Sequence, residues 1–147
     1  MPAQNHVATK PKALNVVGLQ LTPLVEEPGA QYEVFLQEGG EGVGPGWHSH
    51  PWDESFYVLS GEVTFGLGDE SSVARQGDVV HVPANASHWF TLGADGARMI
   101  SVSGGDHHSK LFREMDSVDL DMSDTSPENI ARMADMATRH GITLGHE

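Results

Sequence analysis

His48, His50 and Glu54 are the residues of this chain whose types and spacing point most directly to chemistry. On an extended strand side chains alternate faces with a period of two, so His48 and His50 project the same way. Glu54 shares their parity and joins them after a short turn through Pro51, Trp52 and Asp53. Two imidazoles and a carboxylate converging on one point are ligands for a divalent transition metal. His88, well downstream, is a fourth candidate. Imidazoles ligate only when deprotonated, so ordinary histidines predict that metal affinity falls below about pH 6.

Positioning such a group requires strands, and the surrounding sequence supplies them. Residues 15–21 read as a first strand and 31–37 as a second, with a glycine-rich loop over 39–46 leading into the His48 region. Residues 54–60 are strongly β-prone, and Gly61-Glu62 reads as a turn into 63–67, making a hairpin. Further strands follow near Val73, over 79–82, over 88–92 and, after a turn at 93–96, over 98–102. Eight or nine short strands separated by turn signals indicate a β-sandwich or barrel.

Parity then assigns an inner face. Phe56 and Val58 continue the side begun by Glu54; Val63, Phe65 and Leu67 alternate in the next strand; His88, Phe90 and Leu92 share a face. Tyr57 has the opposite parity and should face away from the metal. The expected pocket has a polar metal floor and apolar walls from Phe56, Phe65 and Phe90, with Trp47 and Trp52 flanking the ligand pair at its mouth. Such a pocket suits a small, partly aromatic or aliphatic ligand.

The ends differ from the middle. Residues 1–12 are polar, contain two prolines and read as a mobile arm; 13–105 form the barrel; 106–147 form a C-terminal extension. Within the extension, 109–114 read as a short helical turn and 116–124 as an acidic linker. A helix follows over about 127–140, with Ser126 as N-cap, Pro127 in its first turn and Gly141 as its stop. Ile130, Met133, Ala134 and Ala137 are its expected docking face.

Composition excludes several classes. With 21 acidic residues against 8 basic and a net charge of −13, nucleic acid and anionic membrane are disfavoured as partners. Cysteine is absent, so a metal must be held by histidine and carboxylate. No secretory signal and no membrane-length apolar run are visible, and the expectation is a soluble cytoplasmic protein.

Gly42, His48, His50, Glu54 and Gly61 fit the pattern G-x5-H-x-H-x3-E-x6-G, which resembles the first motif of the cupin superfamily. Gly77, Pro83 and His88 fit the second cupin motif, while Asn85 and Leu92 stand where glycine and asparagine are usual. Asn is the best non-glycine occupant of a left-handed turn, so Asn85 is a mild departure; Leu92 replaces no ligand. The resemblance implies an all-β double-stranded β-helix (a cupin, or jelly-roll, barrel) followed by the C-terminal helix. It also implies one divalent transition metal (Fe, Mn, Ni, Cu or Zn) on His48, His50, Glu54 and His88.

Residues 54–69 and the Arg139-His140-Gly141-Ile142 segment look like the quercetin dioxygenase-like group of cupins. That likeness implies a dioxygenase joining O2 to a small enolic or phenolic substrate, flavonol- or diketone-like, with Glu54 as ligand and general base. With Zn the implied chemistry is instead non-redox: cyclisation, isomerisation or elimination, as in polyketide cyclase-like cupins. A non-catalytic barrel that binds a small molecule is the alternative of another class. Family analogy implies a homodimer. Cupin lyases place a tyrosine where this chain has Phe56, and sugar-phosphate cupins need cations that here (Arg75, Arg98, Arg113) are scattered. His81 reads as a core or interface histidine, and His107 and His108 as exposed loop residues.

Overall fold

Alternating apolar residues and glycine-marked bends curl one sheet into a barrel, described in a computed structural model for residues 11–118 and 123–146. The expected arm falls almost wholly outside the described residues, as does the middle of the expected acidic linker. In chain order the elements are β1 (Leu14–Val16), β2 (Leu19–Val25), β3 (Tyr32–Gly39), β4 (His48–Ser49), β5 (Glu54–Leu67), β6 (Glu70–Arg75), β7 (Val79–Val82) and β8 (His88–Gly104). Then come α1 (His107–Val118), α2 (Pro127–Arg139) and β9 (Thr143–Leu144). The described fold is thus the expected all-β barrel, closed at one end by two helices and not one.

The two longest strands, β5 and β8, pair with each other antiparallel over nearly their whole length. β8 also pairs β3 along its second half and β4 at its start, while β5 also pairs β6 and β7. Sharing two long strands among several partners is what bends the sheet on itself. Their inward residues Phe56, Val58, Val63, Phe65, Phe90, Leu92 and Met99 are each no more than 3% exposed and form the core with Phe35.

Several local expectations change. Residues 15–21 are not one strand but belong to a hairpin, β1 and β2, turned by Val17 (φ 47°) and Gly18 (φ 86°). Two consecutive positive φ values give the tight turn whose twist matches paired strands. Gly61 does not turn the chain either: β5 runs straight through it with register shifts on both sides. Opposite, residues 93–96 remain within β8 between the pairings Val63↔Leu92 and Gly61↔Ala97. Both expected turns are therefore bulges, facing each other across the longest strand pair, and they bend the sheet where a hairpin would have ended it.

The C-terminal segment departs most. α1 is a full 12-residue helix, longer than the single turn expected, and takes in Asp116, Ser117 and Val118 from the expected linker. α2 starts as expected, with the Ser126 side chain accepting from the Asn129 N–H at 3.3 Å. Its docking face is rotated in part: Ala137 is buried as expected and Met133 and Ala134 are half-buried, but Ile130 is 52% exposed and Asn129 and Met136 are buried in its place. The rotation follows from what α2 meets. Arg139 and His140 clasp Glu114 on α1, so α2 packs chiefly on α1 and on β9 at the edge of the sheet. β9, absent from the sequence reading, adds to the edge of β4, pairing His48 with Leu144.

Candidate metal centre

Short loops with fixed hydrogen bonds aim the histidines. β4 presents His48, and His50 follows it; β8 opens with His88, which pairs directly with His48 across the sheet. The turn between β7 and β8 is pinned because Asn85, at φ 68°, donates its backbone N–H to the His50 carbonyl at 2.7 Å. The turn before β5 is pinned by Asp53, whose carboxylate accepts the Ala84 N–H at 2.8 Å.

Each of the three imidazoles then spends its Nδ1 on a backbone carbonyl. His48 bonds Gly46 at 2.8 Å, His50 bonds Trp52 at 2.9 Å and His88 bonds Ala86 at 2.8 Å. A carbonyl only accepts, so each Nδ1 carries the proton; Nε2 of His48 and of His88 presents a lone pair, while Nε2 of His50 is hydrogen-bonded to Glu54 Oε1 at 3.2 Å. The ligand atoms of His48, His50 and His88 lie within 4.8 Å of one another. The His88 Nε2 is buried with no hydrogen-bond partner in the protein. Lone pairs crowded together in a dry site repel unless a cation sits between them. The donor set, its tautomers and that unpartnered nitrogen fit a divalent transition ion.

Glu54, at the start of β5, is 3% exposed and lies between two neighbourhoods. Its Oε1 is 3.2 Å from His50 Nε2 and 4.0 Å from His88 Nε2. Its Oε2 is 3.6 Å from Nδ1 of His108. His50, Glu54 and His108 make a second cluster whose ligand atoms also fall within 4.8 Å of one another.

His108 is the residue that sequence reasoning placed wrongly. It is 4% exposed, on the first turn of α1, with Nδ1 3.0 Å from Ser103 Oγ and its ring stacked on Phe112. The signal was present: His108, Leu111, Phe112 and Met115 have the spacing of one helix face, and all but Phe112, which packs against the core, are buried. The helix is held in place because Glu33, fully buried on β3, offers both carboxylate oxygens to the Ser109 N–H at 3.2 Å. Its neighbour His107 is exposed as expected, stacked on Trp52 at 4.7 Å. His81 is exposed on the outer face and bonded to Ser55 at 2.9 Å, so it is not a core histidine.

Burial sets the electrostatics. It pushes His88 down to about 4, with His48 adding to the effect, and it pushes His108 down to about 4 as well. It also holds His48 below its ordinary value. These imidazoles are therefore neutral near pH 7, the form that ligates. For Glu54, burial favours the protonated acid, but His108, His50 and His88 outweigh it and keep the carboxyl below its ordinary range.

A cavity of about 420 Å³ opens onto the cluster. His48, Glu54, His108 and Gln37 are its polar side chains, and Trp47, Phe56 and Phe90 are among its apolar walls. Gln37 is held by donating to Ser101 Oγ at 2.9 Å. Of the pocket residues expected from parity, Phe65 is buried in the core behind the wall. Trp52 is turned away from the cavity and stacks on His50 at 4.6 Å, supporting the ligand and not the mouth. The wall opposite the sheet comes from the C-terminal segment, through Leu111, Phe112, Met115, Met133, Ala137 and Ile142. No residue there was expected to line the pocket.

Comparisons with known proteins agree with this arrangement. The cupin domain family matches residues 33–103. Quercetin 2,3-dioxygenase of Bacillus subtilis is 33% identical over 73 residues, covering 49% of this chain and 22% of that protein. Acireductone dioxygenase 1 of Pectobacterium atrosepticum is 37% identical over 84 residues, covering 51% of this chain and 40% of that protein. The chain thus spans less than half the length of either relative. Among solved structures, an RmlC-like cupin from Shewanella frigidimarina superposes with a TM-score of 0.61 at 18% identity, covering 69% of this chain and 91% of that one. No helix among the described residues is long and apolar enough to cross a membrane. With its motif histidines meeting at one end of a curled β-barrel, and with the family match over that barrel, residues 33–103 of this chain form a cupin domain.

Proposed function

We propose that the chain is a metal-dependent dioxygenase acting on a small enolic or phenolic substrate, flavonol- or diketone-like. One observation carries the reading: a cluster of three imidazoles pre-oriented by backbone carbonyls, with the Glu54 carboxylate beside it, meets a largely apolar cavity of about 420 Å³ through His48 and Glu54. The similarity to two dioxygenases supports the reaction class. His48, His50 and His88 would hold the ion, with Glu54 beside them. A redox-active divalent ion there would supply O2 activation and a Lewis-acidic seat for adjacent oxygen donors.

The protein's own groups do the rest. The Glu54 carboxylate, kept ionised in a dry site, takes the enol or phenol proton on one oxygen. Its second oxygen faces His108, which orients the carboxylate. Phe56, Phe90 and Trp47 receive the apolar body of the substrate and exclude water, and Gln37 offers its amide to a substrate hydroxyl or carbonyl.

An oxygen-electrode screen of flavonols and diketones, after loading with Fe, Mn, Ni or Cu in turn, tests the proposal. The expected result is substrate-dependent O2 uptake with at least one metal. Glu54→Gln should retain substrate binding yet lose 10²-fold or more in turnover, roughly the contribution of a positioned general base. Substrate conversion without O2 uptake would move the assignment to Lewis-acid chemistry. Tight binding without conversion would make the barrel a carrier.

A further inference from the structure

We propose that His108 is a metal ligand brought to the barrel by the C-terminal segment: a ring nitrogen of His108, Nε2 of His50 and a Glu54 oxygen form a second ion position beside the three-histidine one. The inference rests on the metal-binding part of the reading above, not on the reaction. Three observations carry it. First, the two clusters, His48-His50-His88 and His50-Glu54-His108, each bring their ligand atoms within 4.8 Å. Second, His108 is 4% exposed, a degree of burial that an imidazole tolerates only with polar partners, and Glu54 and Ser103 are those it faces. Third, α1 is fixed at the neighbouring residue, because buried Glu33 takes the Ser109 N–H, so His108 is aimed by the fold and not by a flexible loop.

The two positions share His50, whose Nδ1 is committed to the Trp52 carbonyl and whose Nε2, 3.2 Å from Glu54 Oε1, is the one nitrogen left to ligate. One ion therefore occupies one position at a time. In the second position it ties α1 to the barrel, and α1 carries α2 with it through Glu114, Arg139 and His140. Both helices wall the cavity. Ion placement and closure of the cavity are then linked.

The test uses Co2+ alone, on the full chain. Its affinity is measured by competition with a chromophoric chelator, and backbone hydrogen exchange is followed over residues 107–118. His88→Gln should still bind Co2+, through the second position, and adding His108→Gln should weaken that binding by at least tenfold, as loss of a ligand does. His81→Gln, on the outer face, should change nothing. Co2+ should slow exchange across α1 in the unsubstituted chain and in His88→Gln, but not where His108 is replaced. If His88→Gln loses Co2+ outright while the unsubstituted chain binds it, or if His108→Gln leaves affinity unchanged in both backgrounds, the second position does not exist and the three-histidine site stands. An unsubstituted chain that binds no Co2+ overturns both. Should buried His108 not tolerate replacement, the exchange measurement still decides: no Co2+-dependent slowing at α1 in the unsubstituted chain overturns the inference.

Discussion

At the scale of single residues, a histidine that gives Nδ1 to a backbone carbonyl has one lone pair left, and the direction of that lone pair is set by the loop that holds it. This preparation has a consequence for pH. Ordinary imidazoles would begin to lose a divalent ion below about pH 6. In the folded protein burial holds His88 at about 4 and His48 below its ordinary value, so at these two ligands protons compete with the ion at lower pH than at ordinary imidazoles. The chain should retain bound Co2+ at pH 5 and release it as the pH approaches 4, which dialysis followed by elemental analysis will show.

Stability of the metal-free protein should follow the same groups. His88 and His108 have pKa values of about 4 folded, against 6.5 for the free side chain. Between those values the unfolded chain binds more protons, so stability is full above pH 6.5 and is lost as the pH falls from 6.5 towards 4. Thermal melts between pH 7.5 and 4.5 should show a Tm that is flat at first and then falls. A Tm that rises on acidification would mean that these histidines are charged in the native state. His48, His50 and Glu54 were legible in the sequence because strand parity and a short turn bring them together, and His88 was added by the resemblance to the second cupin motif. His108 was not, because its place depends on how a helix docks, although its spacing with Leu111, Phe112 and Met115 already put it on that helix's apolar face.

At the scale of elements, the bulges of β5 and β8 decide the barrel's curvature. A Cβ at Gly61 would lie 2.3 Å from the Gly96 carbonyl oxygen, and φ there is +78°. Gly61→Ala therefore meets both a backbone clash and a strained φ, and should destabilise by roughly 2–4 kcal/mol. Gly68, at φ +58°, has nothing within 4 Å of its Cβ position, so Gly68→Ala should cost only about 1 kcal/mol. Chemical denaturation of the two variants checks the difference, and equal costs would remove the clash from the account.

The helical cap is a second element-scale device. Glu33→Ala takes away the buried acceptor of the Ser109 N–H and should cost about 1–2 kcal/mol, with faster hydrogen exchange across α1 than across β5. The sequence shows Gly61 as a bend but not what kind. Whether glycine ends a strand or kinks it depends on the partner opposite, and the pairings Gly61↔Ala97 and Val63↔Leu92, which leave 93–96 between them, settle that. The same holds for the tail. Its helix cap at Ser126 is a local signal, whereas the rotation of α2 and the strand β9 depend on α1 and on the free edge of β4.

At the scale of the whole molecule, the outer face of the sheet carries apolar residues that the barrel does not use. Val79 is 64% exposed, Tyr57 46% and Val102 42%, and β5 brings them together through the pairings Tyr57↔Val79 and Ser55↔Val102. We propose this face as the contact of a homodimer, the assembly that the family resemblance implied. The copies do not attract electrostatically, since each carries a net charge of −13. Association must then rest on apolar burial against repulsion that salt screens, the Debye length shrinking from about 30 Å at 0.01 M to about 10 Å at 0.1 M. Sedimentation equilibrium should give a mass near twice 15.8 kDa at 150 mM NaCl, with a dimer fraction that falls as salt is reduced. Val79→Asp places a like charge at the centre of the contact and should yield monomer with an unchanged melting curve when measured dilute. A chain that sediments as monomer at 100 μM in every salt concentration would remove the dimer. A dimer indifferent to Val79→Asp would keep the assembly but move its contact elsewhere on the surface.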